Sequence, residues 1–447
     1  MTYLRTSMTR DYLVSSGGNG RPIPRILESW SASDDGLTWH LRLRPGVQFH
    51  DGSLLTAQDI APRIESLRDS IFAVSRVLSA RPVDDLSLEV HLADRSSFFV
   101  EDLAAVYAEK AAGTERIGTG PFVTESQTDT QLSFRSFPHY YRGRPEIDRV
   151  EIETYPDLRN AWTALMRNQI DLLYELNREA RQFVEAESSV QVSTLLRPYV
   201  IVLGFNPSRP QLKSARIRQA LGMAIDRERL VAEGLQGQGQ AASSFVWPKN
   251  WAFDPSVAPV KFAPARALEL LDESGLTTVR NGNGMPSRLT FKVMVYAPLA
   301  RMALALQRQL ARLDIDMQIE TPNSEDLVRR MATGEFDAFL FEMSGGPSLK
   351  WAYLFWHSKG PLRRSFGITY GAADASLDKL KLAKDDAAVR AAVAEFQLAL
   401  ANDPPAAFLA WGEIARASTR RFEIPTDGET DVFHSIWRWQ PASGGAN

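Results

Sequence analysis

Tyr199-Val200-Ile201-Val202-Leu203-Gly204-Phe205 is a short apolar, β-branched run with the composition of a buried strand. Asn206-Pro207-Ser208-Arg209-Pro210 stops it, because neither proline can donate to a sheet ladder. Ser214 then offers an N-cap. Behind it Ile217, Leu221, Ala224 and Ile225 recur at helical spacing, continued by Leu230, Val231 and Leu235. The stretch predicts a core strand packed on a core helix. Upstream lies a hairpin-rich region and downstream a separate α/β unit, so the fold turns on how the halves meet here.

Downstream, Gly234 to Gly239 and Trp247-Pro248-Lys249-Asn250-Trp251 read as an irregular connector, and Pro264 opens a helix that stops at Gly275. The period then switches. Leu289–Tyr296 reads as a strand, and Pro298–Leu313 as an amphipathic helix through Met302, Leu306, Leu310 and Leu313. Ile315–Glu320 reads as a strand, Ser324–Met331 as a helix and Phe336–Phe341 as a strand. This βαβαβ order predicts a parallel sheet with helices on its faces. Helices at Ser376–Lys384 and Asp386–Leu400 and a strand at Ala406–Ala410 follow.

Upstream, Tyr3–Leu13 reads as a helix, and Gly17-Gly18-Asn19-Gly20 as a turn, not a phosphate loop, since no strand-then-helix context frames it. Ile26–Trp39 is a meander turning at Asp35-Gly36. Leu41–Arg44 is a strand, Pro45-Gly46 a turn and Val47–His50 the return strand. Thr56 with Asp59 forms a capping box, and Pro62 should kink the helix that follows.

The 447 residues suffice for about three domains. A net charge of -3 lacks the basic surplus of a nucleic-acid binder. No apolar run approaches the roughly 20 residues of a membrane span. The absence of cysteine excludes disulfides, thiolate metal sites and cysteine nucleophiles. Met1-Thr2-Tyr3-Leu4-Arg5 lacks the apolar core of a signal peptide, so taken literally the given chain stays in the cytoplasm. His40, His50, His91, His139, His357 and His434 are scattered, with no metal-ligand spacing. His50-Asp51 are neighbours that point to opposite strand faces, and no nucleophile elbow or phosphate-binding loop is present. No enzyme, cofactor or metal is expected.

In a two-lobed α/β protein, ligands bind at the carboxyl ends of parallel strands. That rule selects the loop after Phe341: Glu342-Met343-Ser344-Gly345-Gly346-Pro347-Ser348-Leu349-Lys350-Trp351.

Leu43-Arg44-Pro45-Gly46-Val47-Gln48-Phe49-His50-Asp51-Gly52 through Thr56-Ala57-Gln58-Asp59 closely resembles the signature of the family 5 extracellular solute-binding proteins of ABC importers. Further segments resemble that family in its order. They are Val83–Leu92, Ile117-Gly118-Thr119-Gly120-Pro121-Phe122, Tyr140-Tyr141-Arg142-Gly143-Arg144-Pro145, Ile170-Asp171, and Phe205-Asn206 through Arg216–Leu221 to Ala224-Ile225-Asp226-Arg227. Members normally begin with a leader and a first strand ahead of the helix at Tyr3, so the first domain's sheet here is expected to have an open edge.

The resemblance implies an α/β, two-lobed, periplasmic-binding-protein-like fold (type II-like) with an extra hairpin-rich subdomain. We expect the subdomain at 13–116, the main domain of lobe I at 1–12, 117–236 and 418–447, and lobe II at 237–417. Trp437-Arg438-Trp439 should return to the first domain. The implied role is a monomeric periplasmic receptor that delivers a small polar solute to an ABC permease. Site residues are expected at Phe205, Asn206, Tyr296, Ser324, Glu342, Met343, Ser344, Gly345, Gly346 and Trp351. Peptide-binding members carry a tryptophan and, three residues on, an amine-binding aspartate where Met343 and Gly346 stand here. A free-amine peptide is therefore disfavoured unless Glu342 substitutes. Some transcription regulators carry the same domain behind a helix-turn-helix, but no basic recognition helix precedes Gly17.

Overall fold

The computed structural model describes residues 2–113, 115–257, 260–280, 284, 286–368, 370–426 and 431–442. Two long strands organise it, Val190–Phe205 and Ala406–Thr419, paired antiparallel along most of their length. The seven-stranded sheet runs Leu172–Leu176, Ala406–Thr419, Val190–Phe205, Ala338–Ser344, Leu289–Val295, Ile315–Glu320, with Gly239–Ala241 also on Ala406–Thr419. Leu289–Val295 is parallel to both of its neighbours, as the βαβαβ reading requires.

The strand read as Tyr199–Phe205 is thus the second half of a longer one that crosses the molecule. Its first half, from Val190 to Leu196, pairs with Glu413–Thr419, and its second with Ala406–Trp411. The register slips between Leu196 and Val200, around Pro198, which has no N–H to give the ladder.

Five apolar cores follow. The hairpin-rich region closes its own core with Leu41, Phe49, Ile60, Val90 and Leu103. Met8, Phe122, Phe134, Phe433 and Trp439 form another, which brings 433–439 against the first helix and 122–136. The opposite end of the long strands carries one core on each sheet face. One holds Ile201, Leu203, Ile217, Leu221 and Leu230 together with Leu289, Leu306 and Leu340. Residues of 201–235 share that core with residues of 267–340, on the far half of the strand beyond the slip at Pro198.

Three local expectations are corrected. The strand read as Phe336–Phe341 runs Ala338–Ser344, which puts Glu342, Met343 and Ser344 in the sheet, because pairing with Tyr199–Phe205 carries it three residues further. The first helix ends at Thr9 instead of Leu13, and Val47–His50 forms no regular strand, only the single bridge Gln48↔Leu54. The capping box is present, with Thr56 N–H donating to Asp59 at 2.9 Å. Among the described residues no helix is long and apolar enough to cross a membrane.

Candidate functional site

The loop after Ala338–Ser344 leaves the sheet beside Tyr199, since the two strands pair antiparallel as Tyr199↔Ser344 and Phe205↔Ala338. Its glycines are fixed by close neighbours. A Cβ on Gly345 would stand 2.6 Å from the Trp411 ring, and Gly346 has φ +48° with Pro198 3.0 Å from where its Cβ would be. Asn250 donates to Pro347 O at 2.7 Å. Trp411 meets Trp247 edge-on at 4.8 Å, and the Trp247 indole donates to Gly18 O at 2.9 Å. The glycine turn near the amino terminus therefore docks against lobe II beside this loop.

Around the loop's far end runs a row of rings. Tyr296, just past Leu289–Val295, lies 5.3 Å from Phe341, and Phe341 lies 5.9 Å from Phe366. Phe366 is 5.2 Å from Phe355, which stacks on Trp351 at 6.0 Å. Trp351 meets Phe72 of the hairpin-rich region at 6.4 Å. Tyr296, Phe341, Phe366 and Trp351 are half-buried and Phe72 is 47% exposed, so this wall is wet where a closed core would be dry.

Of the expected residues, Tyr296 and Trp351 belong to this row, and Ser344, Gly345 and Gly346 form the loop beside it. Glu342 is held by Arg197 at 3.0 Å, and Met343 is buried in the core, so the space left by the missing tryptophan is packed. Ser324 lies exposed in the first turn of a helix capped by Asn323. Phe205 and Asn206 do not join the site. Phe205 is fully buried at the other end of its strand. The Asn206 amide donates to Phe336 O at 2.9 Å and Gly334 O at 3.1 Å, fixing a turn. Sequence reasoning missed Phe72, Arg197, Phe341, Phe366, Trp247 and Trp411. The antiparallel return to Tyr199 is the signal that would have found Arg197.

The hairpin-rich region and lobe II are tied together at several points. Ser97 N–H and hydroxyl donate to Lys381 O and Leu380 O at 2.7 Å each, and Lys381 pairs with Asp94 at 2.8 Å. Arg21 pairs with Asp386 and lies 3.4 Å above the Trp251 ring. Deepest is Glu101, which accepts from Ser348 Oγ at 2.5 Å and Lys350 N at 3.1 Å, while Lys350 Nζ stands 3.5 Å from Asp102. Burial pushes the Glu101 carboxyl up to about 7 and raises Asp102 as well, against the pull of these donors. Between the same walls opens a cleft of about 430 Å³, lined by Trp30, Trp39, Arg95, Glu101, Trp251 and Lys384 among others.

His50 donates through Nε2 to Gly120 O (3.0 Å), and Asp51 pairs with Lys110 at 2.9 Å, so these neighbours serve separate contacts. No group of three metal-ligating side chains occurs among the described residues.

The arrangement, two α/β lobes joined by crossing strands with aromatic and polar groups at their junction, defines a two-lobed solute-binding fold. A family model described as "Bacterial extracellular solute-binding proteins, family 5 Middle" matches residues 21–361, and the chain belongs to that family. It is similar to the heme-binding protein A of Haemophilus influenzae, 25% identical over 370 residues (72% of this chain, 66% of that protein). It is similar also to the dipeptide-binding protein of Escherichia coli, 24% identical over 369 residues (73% of this chain, 68% of that one). The matches thus span about two thirds of these relatives' length. Its fold matches the substrate-binding protein CtaP of Listeria monocytogenes with TM-score 0.85 and 22% identity, over 98% of this chain and 94% of that one. These relatives are binding proteins, and the regulator reading finds no support among them.

Proposed function

We propose that this chain is the solute-binding receptor of an ABC import system. It captures a small polar solute between its lobes and presents the closed form to the permease. The observation that carries this reading is the glycine loop at Gly345–Gly346, which with Tyr296 follows the carboxyl ends of two parallel strands, and the half-buried ring row beside it. Ser344, Gly345, Gly346, Tyr296 and Trp351 line the solute, joined by Phe72, Phe341 and Phe366. Arg197 holds Glu342, and Gly346 has no side chain, so the loop offers no free carboxylate to a peptide's amino terminus. Solutes without a free amine suit it better.

Closure about the crossing strands is the signal, and the ligand shifts the open–closed populations. The receptor works as a monomer outside the cytoplasmic membrane, binds no nucleic acid and leaves its ligand chemically unchanged. A thermal-shift screen against peptides, oligosaccharides, opines and metal chelates tests this, since a tight binder raises the melting temperature. A screen in which none of these classes shifts it contradicts the reading.

A further inference from the structure

Arg227 opens the helix Arg227–Gly234 and is only 8% exposed. Its guanidinium is held by backbone carbonyls. Nε donates to Phe408 O at 2.7 Å, and Nη1 reaches Gly222 O, Val260 O and Ile225 O at 3.0, 3.2 and 3.3 Å. Nη2 makes no such bond among the described residues. No carboxylate there offsets the charge either, and burial alone draws its pKa down to about 10. The carbonyls satisfy its hydrogens but do not neutralise its charge, so a counter-anion at the remaining donor is favoured.

Beside it lies a small cavity of about 20 Å³, walled by Arg227, Arg218, Ser243, Ser244, Gln219 and Gln397. Most of these groups are already committed. Arg218 pairs with Asp403, Gln219 donates to Ala401 O and Asn402 O, and Gln397 holds both polar atoms of the Asp254 backbone. The Ser244 oxygen accepts from Val246 N at 3.3 Å, which leaves its hydroxyl proton free to donate. Among the described residues, the Nη2 hydrogens of Arg227 and the hydroxyl protons of Ser243 and Ser244 remain. All are donors.

A cavity needs roughly 10–15 Å³ to hold one water, so this one takes a single water-sized body. A water would leave the charge unbalanced, whereas an anion uses donors alone and offsets the buried cation. We propose that this cavity is a site for one halide-sized anion, chloride in ordinary buffers, held by Arg227, Ser243 and Ser244. Sulfate, phosphate and carboxylate-bearing solutes are too large for it. The anion pins the connector that begins at Ser243 to the helices Ala215–Met223, Arg227–Gly234 and Asp386–Asn402. The same connector carries Trp247 and Asn250, which hold Gly18 and Pro347 at the lobe junction. Anion occupancy therefore stiffens a wall of the solute site without touching the solute.

The test is thermal unfolding of the full chain in sodium chloride and in sodium gluconate at equal ionic strength. Chloride should raise the melting temperature by about 2 °C or more and then saturate. Equal melting temperatures, or a linear rise without saturation, overturn the proposal. Ser244→Asp supplies a built-in carboxylate and should melt alike in both salts, while full retention of the chloride response contradicts the site. Crystals of the unaltered protein grown in bromide give a readout that needs no variant. An anomalous peak beside Arg227 Nη2 is expected, and a water there instead refutes the assignment.

Discussion

Glu101→Gln should remove a pH dependence built into the contact between the hairpin-rich region and lobe II. The Glu101 carboxylate accepts from Ser348 and Lys350 N across that contact. Burial raises its pKa from the ordinary 4.5 to about 7, Ser348 and Lys350 pull it down, and the neighbouring Asp102 pushes it up. The folded form therefore binds a proton that the unfolded chain releases. Its contribution to stability is fully present below pH 4.5 and is lost as pH rises through about 7. Between pH 8 and 5.5 the linkage amounts to roughly 2 kcal/mol. Glutamine keeps an oxygen for both donors but cannot titrate, so the variant should be the more stable protein near pH 8 and lose Glu101's share of the slope. Urea unfolding of both proteins across this range measures it. Asp11, also pushed up to about 7 by burial, titrates in both and cancels in the difference. Parallel pH curves for the two proteins would refute the reasoning.

Gly346→Ala should lower stability by roughly 1–2 kcal/mol, because φ +48° brings a Cβ into steric conflict, and chemical denaturation reads the loss directly. Trp411→Ala should cost about 3–5 kcal/mol by the same assay, since the ring is 1% exposed and packs on Gly345 and Trp247. Asp386→Ala should cost less than about 1 kcal/mol, because both partners of its pair with Arg21 are well exposed and screened. Trp351→Ala should weaken a confirmed solute at least tenfold, about 1.4 kcal/mol by calorimetry, whereas Phe205→Leu should lower stability and leave affinity unchanged.

The sequence carried the parts whose signal is local. The period change from Leu289 to Phe341 gave the parallel strands, and Thr56 with Asp59 gave the helix start. The parallel-strand rule, with the family resemblance, selected the stretch 342–351, and the structure sets its start beside Tyr199. What failed depended on partners distant in the chain. Phe205-Asn206 reads as the end of a strand near a cleft. Antiparallel pairing puts Tyr199 beside Ser344, and Phe205 six residues away, roughly 20 Å along the sheet. The course of Val190–Phe205 is hidden from the sequence for the same reason, since only its pairing with Ala406–Thr419 reveals where it crosses. Phe366 and Phe72 enter the ring row from separate elements, and neither has a local pattern that sets it apart from a core or surface phenylalanine. Buried Arg227 was legible only as a helix residue, because the carbonyls that hold it come from the Val260 segment and the strand at Phe408 as well as its own.

The central claim is that a small solute is enclosed between the lobes against the Ser344–Gly346 loop and the ring row, and is released unchanged. A crystal structure of the protein with a ligand taken from the thermal-shift screen tests it most directly. Intact solute in contact with the loop, Tyr296 and Trp351, with both lobes touching it, is the predicted result. Density on an outer surface, or a chemically altered ligand in the cleft, would contradict the account.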